Sequence, residues 1–243
     1  KKVPNWVALT DAERKYTYNR IPTSKLIDIP EYNPKDIRAG YDWRTGTDDQ
    51  RNAYITYPVP HLGNYKLDGT EDSGSHPGID IKIPIGTPVY AIANGVIEKS
   101  ENQATGFGLH VVIKHPDVPD PKYVGEKVTL FSGYAHLSQL VAKKGRQVKK
   151  GDLIGYSGDT GMATAPHLHF QIDRFGAPYH LHWPFSWKEV ESAGYSSYFE
   201  AVKNGLNQSV ARENTVHPIE FIEKNINVRN LIVSSEIPDE VFE

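Results

Sequence analysis

Cysteine is absent from the 243 residues of this chain. Without thiols the protein can form no disulfide bond and offers no thiolate, so any zinc ion must be held by histidine and carboxylate groups. A lack of cysteine also suits an exported protein, and we expect an extracytoplasmic location. The chain starts at Lys1 without a methionine and shows no signal peptide, so we expect a processed product.

The sequence also lacks the features expected of proteins that bind nucleic acid or span a membrane. Its net charge is −3 and its lysines and arginines are scattered, so we expect no binding to nucleic acid. No apolar run approaches the roughly 18 residues that cross a bilayer, so we expect no membrane span. The hydrophobic share of 38% is enough for a sizeable core, and the length predicts one large domain or a domain with arms.

The stretch that organises the rest of the chain is 156–172, YSGDTGMATAPHLHFQI. Its glycines predict a tight turn, and the residues after Pro166 alternate polar and apolar as a strand does. His167 and His169 therefore share one face, and two imidazoles on one face are half of a zinc site. Taken alone, the segment fits a pair of solvent-facing strand histidines equally well.

A third histidine precedes another predicted strand, in the stretch HPGIDIKIPIG that begins at His76. Its isoleucines alternate with Asp80 and Lys82, so the carboxylate points away from the apolar face. The intervening Pro-Gly can fold His76 back toward Asp80, and a nitrogen and an oxygen ligand can then meet at one ion. In isolation the segment fits a loop histidine and a surface aspartate better.

Short strands with glycine turns fill most of the region from residue 54 to 172, which is typical of an antiparallel β sandwich or curled sheet. The stretch GTPVYAIANGVIEKS predicts a hairpin that turns at Asn94-Gly95. Two more short strands are expected around residues 149–151.

A longer loop interrupts this pattern. The strand GFGLHVVIKH ends on His115, which we expect to be structural. The loop at 116–128 then carries three prolines, which argue against a strand, and we expect it to form a wall beside the site. The next predicted strand, VTLFSGYAHLSQL, contains His136.

In combination these motifs closely resemble the lysostaphin-type (LytM-like) zinc endopeptidases. The resemblance is carried by His-x-x-x-Asp at 76–80, YAHLS at 134–138, HLH at 167–169, and the supporting GTPVYA, NGV, VKKGDLIG and GDTGMATAPHLHF. It covers about residues 55–172, and HPIEFI at 217–222 is similar to the closing turn and helix of the family.

The resemblance implies a mainly β, antiparallel, sandwich-like fold, one zinc ion and a peptidoglycan substrate. By this resemblance His76, Asp80 and His169 match the metal ligands, and His136 and His167 match the catalytic histidines. The implied activity is hydrolysis of peptide bonds in peptidoglycan stem peptides or cross-bridges by a metal-activated water.

The chemistry of peptide hydrolysis needs a base for that water and a donor for the oxyanion. The chain contains no His-Glu-x-x-His motif, so no glutamate base is indicated, and both tasks fall to His136 and His167. The sequence leaves open which histidine is the base. A tyrosine that often assists the transition state in the family is not placed by the motifs, and Tyr65 is the candidate.

Two alternatives compete with this hypothesis. One is a non-catalytic domain of the same fold that binds the cell wall or activates another hydrolase. All five site residues are intact, which argues against this alternative. The other is an unrelated zinc hydrolase that acts on a different polymer, since ligands do not encode a substrate.

The predicted domain organisation has three parts: an N-terminal arm at 1–54, a LytM-like zinc peptidase domain at 55–224 and a C-terminal tail at 225–243. The arm includes a possible helix at 8–18 and is expected to be structural rather than inhibitory.

The peptidase domain contains an aromatic-rich insertion at 174–213. Its aromatics have helical spacing, with a stop at Gly205, which favours packing on the core. His180 and His182 repeat the alternating pattern, but with no carboxylate at matching spacing we expect no second metal site.

Overall fold

The computed structural model describes residues 2–4, 26–28, 58–65, 73–81, 83–164, 166–222 and 225. Strands β1 (Lys2–Pro4) and β2 (Leu26–Asp28) pair antiparallel in a small sheet of their own. The remainder of the predicted arm, including its possible helix, lies outside the described residues, as does most of the predicted tail. Within the part of the chain that is described, no helix is long and apolar enough to cross a membrane.

A single ten-stranded sheet forms the body of the protein, and every pairing described in it is antiparallel. Its main path runs β3-β4-β11-β8-β7-β6-β9, while β10 pairs with β5 and β8, and β12 pairs with β11. The predicted mainly β, antiparallel fold is confirmed. The strands are β3 (Pro58–Val59), β4 (Ile79–Ile81), β5 (Pro88–Tyr90), β6 (Gly95–Gln103), β7 (Gly108–Pro119), β8 (Lys127–Leu140), β9 (Gln147–Val148), β10 (Leu153–Ser157), β11 (Leu168–Arg174) and β12 (Thr215–Val216).

The alternation of β11 separates the core from the site. Leu168, Phe170 and Ile172 point into the main hydrophobic core, where Ile219, Phe221 and Ile222 also pack. Residues 218–222 are helical, as the resemblance implied. The other side chains of β11 therefore point to the opposite face of the sheet. That face carries a second apolar cluster, in which Phe131 and Leu181 are buried.

The insertion contains three short helices, α1 (Trp187–Ser192), α2 (Tyr198–Lys203) and α3 (Gln208–Asn214). A capping box between Ser186 and Glu189 starts α1, and Gly194, with a φ of 78°, lies between α1 and α2. The helical stretch predicted from aromatic spacing is thus divided in two. Helix α3 was not predicted, because only Ala211 of it is buried and no apolar stripe marks it.

The predicted hairpin at Asn94-Gly95 is wrong. Strand β5 pairs with β10, and β6 pairs with β7 and β9, so the two strands on either side of the turn do not pair with each other. The side-chain oxygen of Asn94 accepts a hydrogen bond from the Lys150 backbone N–H (2.9 Å), while its backbone oxygen lies 2.9 Å from His115 Nδ1. Long-range partners thus determine the conformation of this turn. The two short strands expected around 149–151 are confirmed as β9 and β10.

The loop predicted at 116–128 is shorter than expected. Strand β7 continues to Pro119 and β8 begins at Lys127, with Val118 opposite Val128. Pro116 lies where the register shifts between His115 and Val118, an irregularity that frees it from donating to the ladder, and Pro119 is the last residue of β7.

Candidate active site

Neighbouring strands bring the predicted site residues together. His169 of β11 pairs directly with Asp80 of β4 on one side and with Ala135 of β8 on the other, next to His136. His76 lies in the turn before β4, where its backbone pairs with residues 62–63.

Three ligand atoms converge in a buried cluster. His76 Nε2 lies 3.2 Å from His169 Nδ1 and 3.2 Å from Asp80 Oδ1, and His169 Nδ1 lies 2.9 Å from the same carboxylate oxygen. Ligands at about 2.0–2.1 Å from a tetrahedral zinc ion lie about 3.3 Å apart, so these separations suit such an ion. Among the described residues, these three form the one group of side chains whose ligand atoms could hold a metal.

The protons of the two imidazoles point away from this cluster. His76 Nδ1 lies 2.9 Å from the carbonyl oxygen of Gly78, and His169 Nε2 lies 2.9 Å from Gln171 Oε1. Carbonyl oxygens only accept hydrogen bonds, so these nitrogens carry the protons. The lone pairs of the other two nitrogens therefore face the Asp80 carboxylate, an arrangement that a cation relieves. The donor set fits one divalent metal ion.

The carboxylate of Asp80 is ionised. Burial acts to raise its pKa, but the nearby imidazoles of His76, His167 and His169 together hold this pKa well below its usual value of 3.8. An ionised carboxylate is the form that binds a metal.

His136 is held in a constrained conformation beside the cluster. Its φ of 59° is left-handed, which is unusual for a residue other than glycine, and its backbone N–H donates to the Phe107 carbonyl at 2.9 Å. Its Nδ1 lies 2.7 Å from the carbonyl oxygen of Thr160, so Nδ1 carries the proton and Nε2 the lone pair. Burial, together with His167 and His169, lowers the pKa of His136 to about 3, so this ring is neutral near neutral pH.

His167 completes the group of five. Its backbone N–H donates to the carbonyl of Gly158, and its Nε2 lies 3.7 Å from Asp80 Oδ1. The rings of His167 and His136 are neighbours, with centroids 4.6 Å apart. All five predicted site residues therefore lie in one cluster.

Comparison with known proteins agrees with this geometry. Residues 74–181 match the sequence profile of peptidase family M23. The chain carries an M23 domain. The match includes all five histidine and aspartate residues of the cluster.

Two curated relatives and one solved structure illustrate the similarity. The peptidoglycan DD-endopeptidase ShyA of Vibrio cholerae is 38% identical over 109 residues, which are 45% of this chain and 23% of ShyA. Lysostaphin of Staphylococcus simulans is 39% identical over 100 residues, 41% of this chain and 18% of lysostaphin. The crystallised catalytic domain of that lysostaphin is 27% identical, with 73% of this chain and 98% of that domain covered and a TM-score of 0.42. The chain thus spans less than a quarter of the length of these curated relatives.

The cluster of the M23 domain opens into a groove of about 560 Å³. One wall comes from strand β6 and the turn after it, and includes Lys99, Glu101 and Phe107. A second wall is aromatic and comes largely from the insertion, whose lining aromatics are Tyr179, Trp183, Phe185, Trp187, Tyr198 and Phe199. No residue of 116–128 lines this groove, so the expectation that this loop forms a wall beside the site is wrong.

Tyr65, the candidate tyrosine, lies at this groove. Its ring contacts that of His76, with centroids 5.8 Å apart, and it also contacts Phe199 of the insertion. Burial, together with the charge of Asp80, raises the pKa of Tyr65 well above 10, so its hydroxyl stays protonated and can donate.

Sequence reasoning missed three residues beside the cluster: Gln171 and Trp183 contact the candidate ligands, and Asp173 contacts Gln171. Gln171 and Asp173 continue the alternation of His169 along β11, so the period-2 pattern was a signal that they share its face. The ring of Trp183 contacts those of His76 and His169, and nothing in the local sequence marked it.

A carboxylate does reach His180 and His182 of the insertion, although no carboxylate lies at a matching spacing in the sequence. Asp173 Oδ2 lies 3.2 Å from His180 Nδ1 and accepts a hydrogen bond of 2.8 Å from the backbone N–H of His182. The ring nitrogens of His182 have no hydrogen-bond partner and do not converge with these groups on a common point.

Proposed function

We propose that this chain hydrolyses peptide bonds of peptidoglycan, in stem peptides or cross-bridges, at one zinc ion held by His76, Asp80 and His169. The observation that carries the proposal is the convergence of three proton-free ligand atoms beside two further histidines in an M23 domain. The relatives named as peptidoglycan endopeptidases support the substrate class. Because peptidoglycan lies outside the cytoplasmic membrane, we propose an extracytoplasmic site of action.

The ligand chemistry favours a catalytic zinc over a structural one. Structural zinc sites are usually closed by four protein ligands, whereas catalytic sites use three and leave a position for water. The three ligands here are two imidazoles and one carboxylate, and they border the groove. When bound, zinc lowers the pKa of a water molecule to about 7 and polarises a carbonyl group.

His136 is suited to act as the general base. Its Nδ1 donates to the Thr160 carbonyl, which leaves the lone pair of Nε2 available to accept a proton. We propose that Nε2 accepts a proton from the attacking water and then delivers it to the departing amine nitrogen. The carbonyl of Thr160 holds the ring in place during both steps.

His167 and Tyr65 are suited to stabilise the oxyanion. Both line the groove close to the ligands, and the hydroxyl of Tyr65 remains a donor because its pKa is raised. We propose that His167 donates from its ring to the carbonyl oxygen as negative charge develops there, with Tyr65 as the second donor.

We further propose that residues 55–224 act as the peptidase unit, with the insertion at 174–213 as one wall of the groove. An extended peptide would lie between the aromatic wall and the polar wall at Lys99 and Glu101. Loops and insertions at the rim of a rigid sheet commonly set what enters a site.

Digestion of purified peptidoglycan tests the proposal. The protein should release soluble peptide fragments, a chelator should stop the release, and added zinc should restore it. Binding to peptidoglycan without cleavage would favour the non-catalytic alternative of the same fold. Cleavage of another polymer with intact peptidoglycan would favour an unrelated zinc hydrolase.

A further inference from the structure

We propose that Gln171 and Asp173 are positioning residues, which hold the proton of His169 on Nε2 and so leave Nδ1 ready for the zinc ion. This inference rests on the proposed function, because it concerns the same metal site. It adds two residues that no sequence motif singled out.

The three residues form a row on one face of β11. Alternation along the strand places His169, Gln171 and Asp173 on the side opposite the main core. Gln171 and Asp173 are fully buried, so neither side chain can exchange its partners for water. Buried polar groups that lack a partner are costly, so the hydrogen bonds of this row are mutually dependent.

The amide of Gln171 can sit in only one orientation. Its Nε2 donates to Asp173 Oδ1 and, at 2.7 Å, to the carbonyl oxygen of His182. Both partners are acceptors, and they use both N–H groups of the amide. The oxygen Oε1 must therefore face His169 Nε2, which lies 2.9 Å away and has to be the donor.

Asp173 anchors the far end of this row. Its Oδ2 accepts a hydrogen bond of 2.8 Å from the backbone N–H of His182, and His180 Nδ1 lies 3.2 Å from the same oxygen. Both carboxylate oxygens thus accept, so Asp173 presents no donor to Gln171. The insertion closes the row by supplying residues 180–182.

The hydrogen bonds of this row oppose a competing state of His169, in which the proton is on Nδ1. Nδ1 lies 2.9 Å from Asp80 Oδ1, and a proton on Nδ1 would form a charge-assisted hydrogen bond to that carboxylate. A metal ion would then have to displace this proton before it could bind. By requiring the proton on Nε2, Gln171 disfavours the neutral tautomer with its proton on Nδ1, so that the neutral ring keeps the lone pair of Nδ1 directed at the cluster.

Zinc competition and imidazole NMR of the full chain test the inference. We expect Gln171→Met, which keeps the volume but removes both hydrogen-bonding ends, to lower zinc affinity about 10–100-fold, as losses of groups behind a ligand do. In the metal-free protein, ¹⁵N shifts should place the proton of His169 on Nε2 in the wild type and move it toward Nδ1 in the variant. Asp173→Asn should have a smaller effect in the same direction, because the oxygen of the asparagine amide can still accept a hydrogen bond.

Ser132→Ala is the matched control. It removes a hydrogen-bond partner 2.6 Å from the buried His115 on the neighbouring strands, away from the metal cluster. We expect it to leave the zinc affinity and the His169 ¹⁵N shifts unchanged. A change in this control would show that a general loss of packing in the sheet accounts for the effect.

The outcomes separate this inference from the proposed function. If the wild-type protein carries the His169 proton on Nε2 but binds no zinc, the positioning role of Gln171 and Asp173 would be supported and the metal assignment overturned. A metal-free wild type with the proton on Nδ1 would overturn the row, even if the Gln171 variant fails to fold. Unchanged zinc affinity and unchanged shifts in a folded Gln171→Met protein would also overturn it.

Discussion

The indole ring of Trp183 lies against the imidazole of His169, with ring centroids 6.3 Å apart and planes at 43°. Trp183 belongs to the insertion and His169 to the central sheet, so the inserted segment directly contacts a proposed zinc ligand. The same indole contacts His76, at 6.2 Å, and Phe107, at 5.9 Å. The insertion is therefore part of the site.

This contact predicts that alanine substitutions of two tryptophans in the aromatic wall lower the stability by different amounts. Trp183→Ala should destabilise the protein by about 3 kcal/mol, because it removes a packed aromatic from several ring contacts. Trp187→Ala should cost less than about 1 kcal/mol, since Trp187 is 45% exposed. Urea denaturation of both variants measures the difference, and equal losses would refute the assigned packing.

The ligand assignment predicts that His169→Ala loses stoichiometric zinc. Metal analysis after dialysis should find about one ion per wild-type chain and far less in the variant. The variant should also lose the stabilisation that added zinc gives to the wild type in thermal denaturation, because metal binding couples to folding. Unchanged zinc content in the variant would sink the assignment.

The catalytic assignment predicts that His136→Ala and His167→Ala keep zinc but lose activity. Each should lower peptidoglycan hydrolysis by about 100-fold or more, which is typical for an acid–base or oxyanion group. His110→Ala is a useful control, since His110 also lines the groove but lies outside the cluster. Near-normal turnover in either variant would remove that residue from the mechanism.

Close packing of the insertion on the sheet predicts that Gly133→Ala is destabilising. An added Cβ would overlap with the buried Leu181 Cδ2, so a loss of about 1–3 kcal/mol is expected. Gly176→Ala, where a Cβ meets nothing within 4 Å, should be close to neutral. If the overlap is the cause, Leu181→Ala should offset part of the loss in a double-mutant cycle.

Burial of His115 predicts a pH dependence of stability. Burial lowers its pKa from 6.5 to about 4, opposed by the hydrogen bond with the Asn94 carbonyl. Above pH 6.5 the ring is neutral in both the folded and unfolded states. As the pH falls from 6.5 to about 4, only the unfolded state takes up the proton, so stability falls by up to about 3 kcal/mol.

His115→Gln provides the comparison, because glutamine does not titrate in this range. The wild type should lose more stability than the variant between pH 7 and pH 4.5, as measured by denaturant unfolding. The same pH dependence in both proteins would show that His115 is not the titrating group.

The sequence by itself indicated the class of fold, and its resemblance to a known family pointed to the five residues that the structure brings together. The absence of cysteine restricted the ligands to nitrogen and oxygen, and the period-2 pattern showed that Asp80 and His169 point away from the apolar core. Both properties are local, because a strand's alternation depends only on its own residues. The spacing of the motifs then led to the family that the profile match supports.

Tertiary structure alone decided which distant segments meet. The turn at Asn94 looked like a hairpin, but β5 pairs with β10 from far along the chain, because strand pairing follows side-chain packing and burial more than turn propensity. Residues 180–182 close the row behind His169 only because the insertion folds back over β11. Such contacts depend on the packing of whole elements, which short-range sequence patterns do not encode.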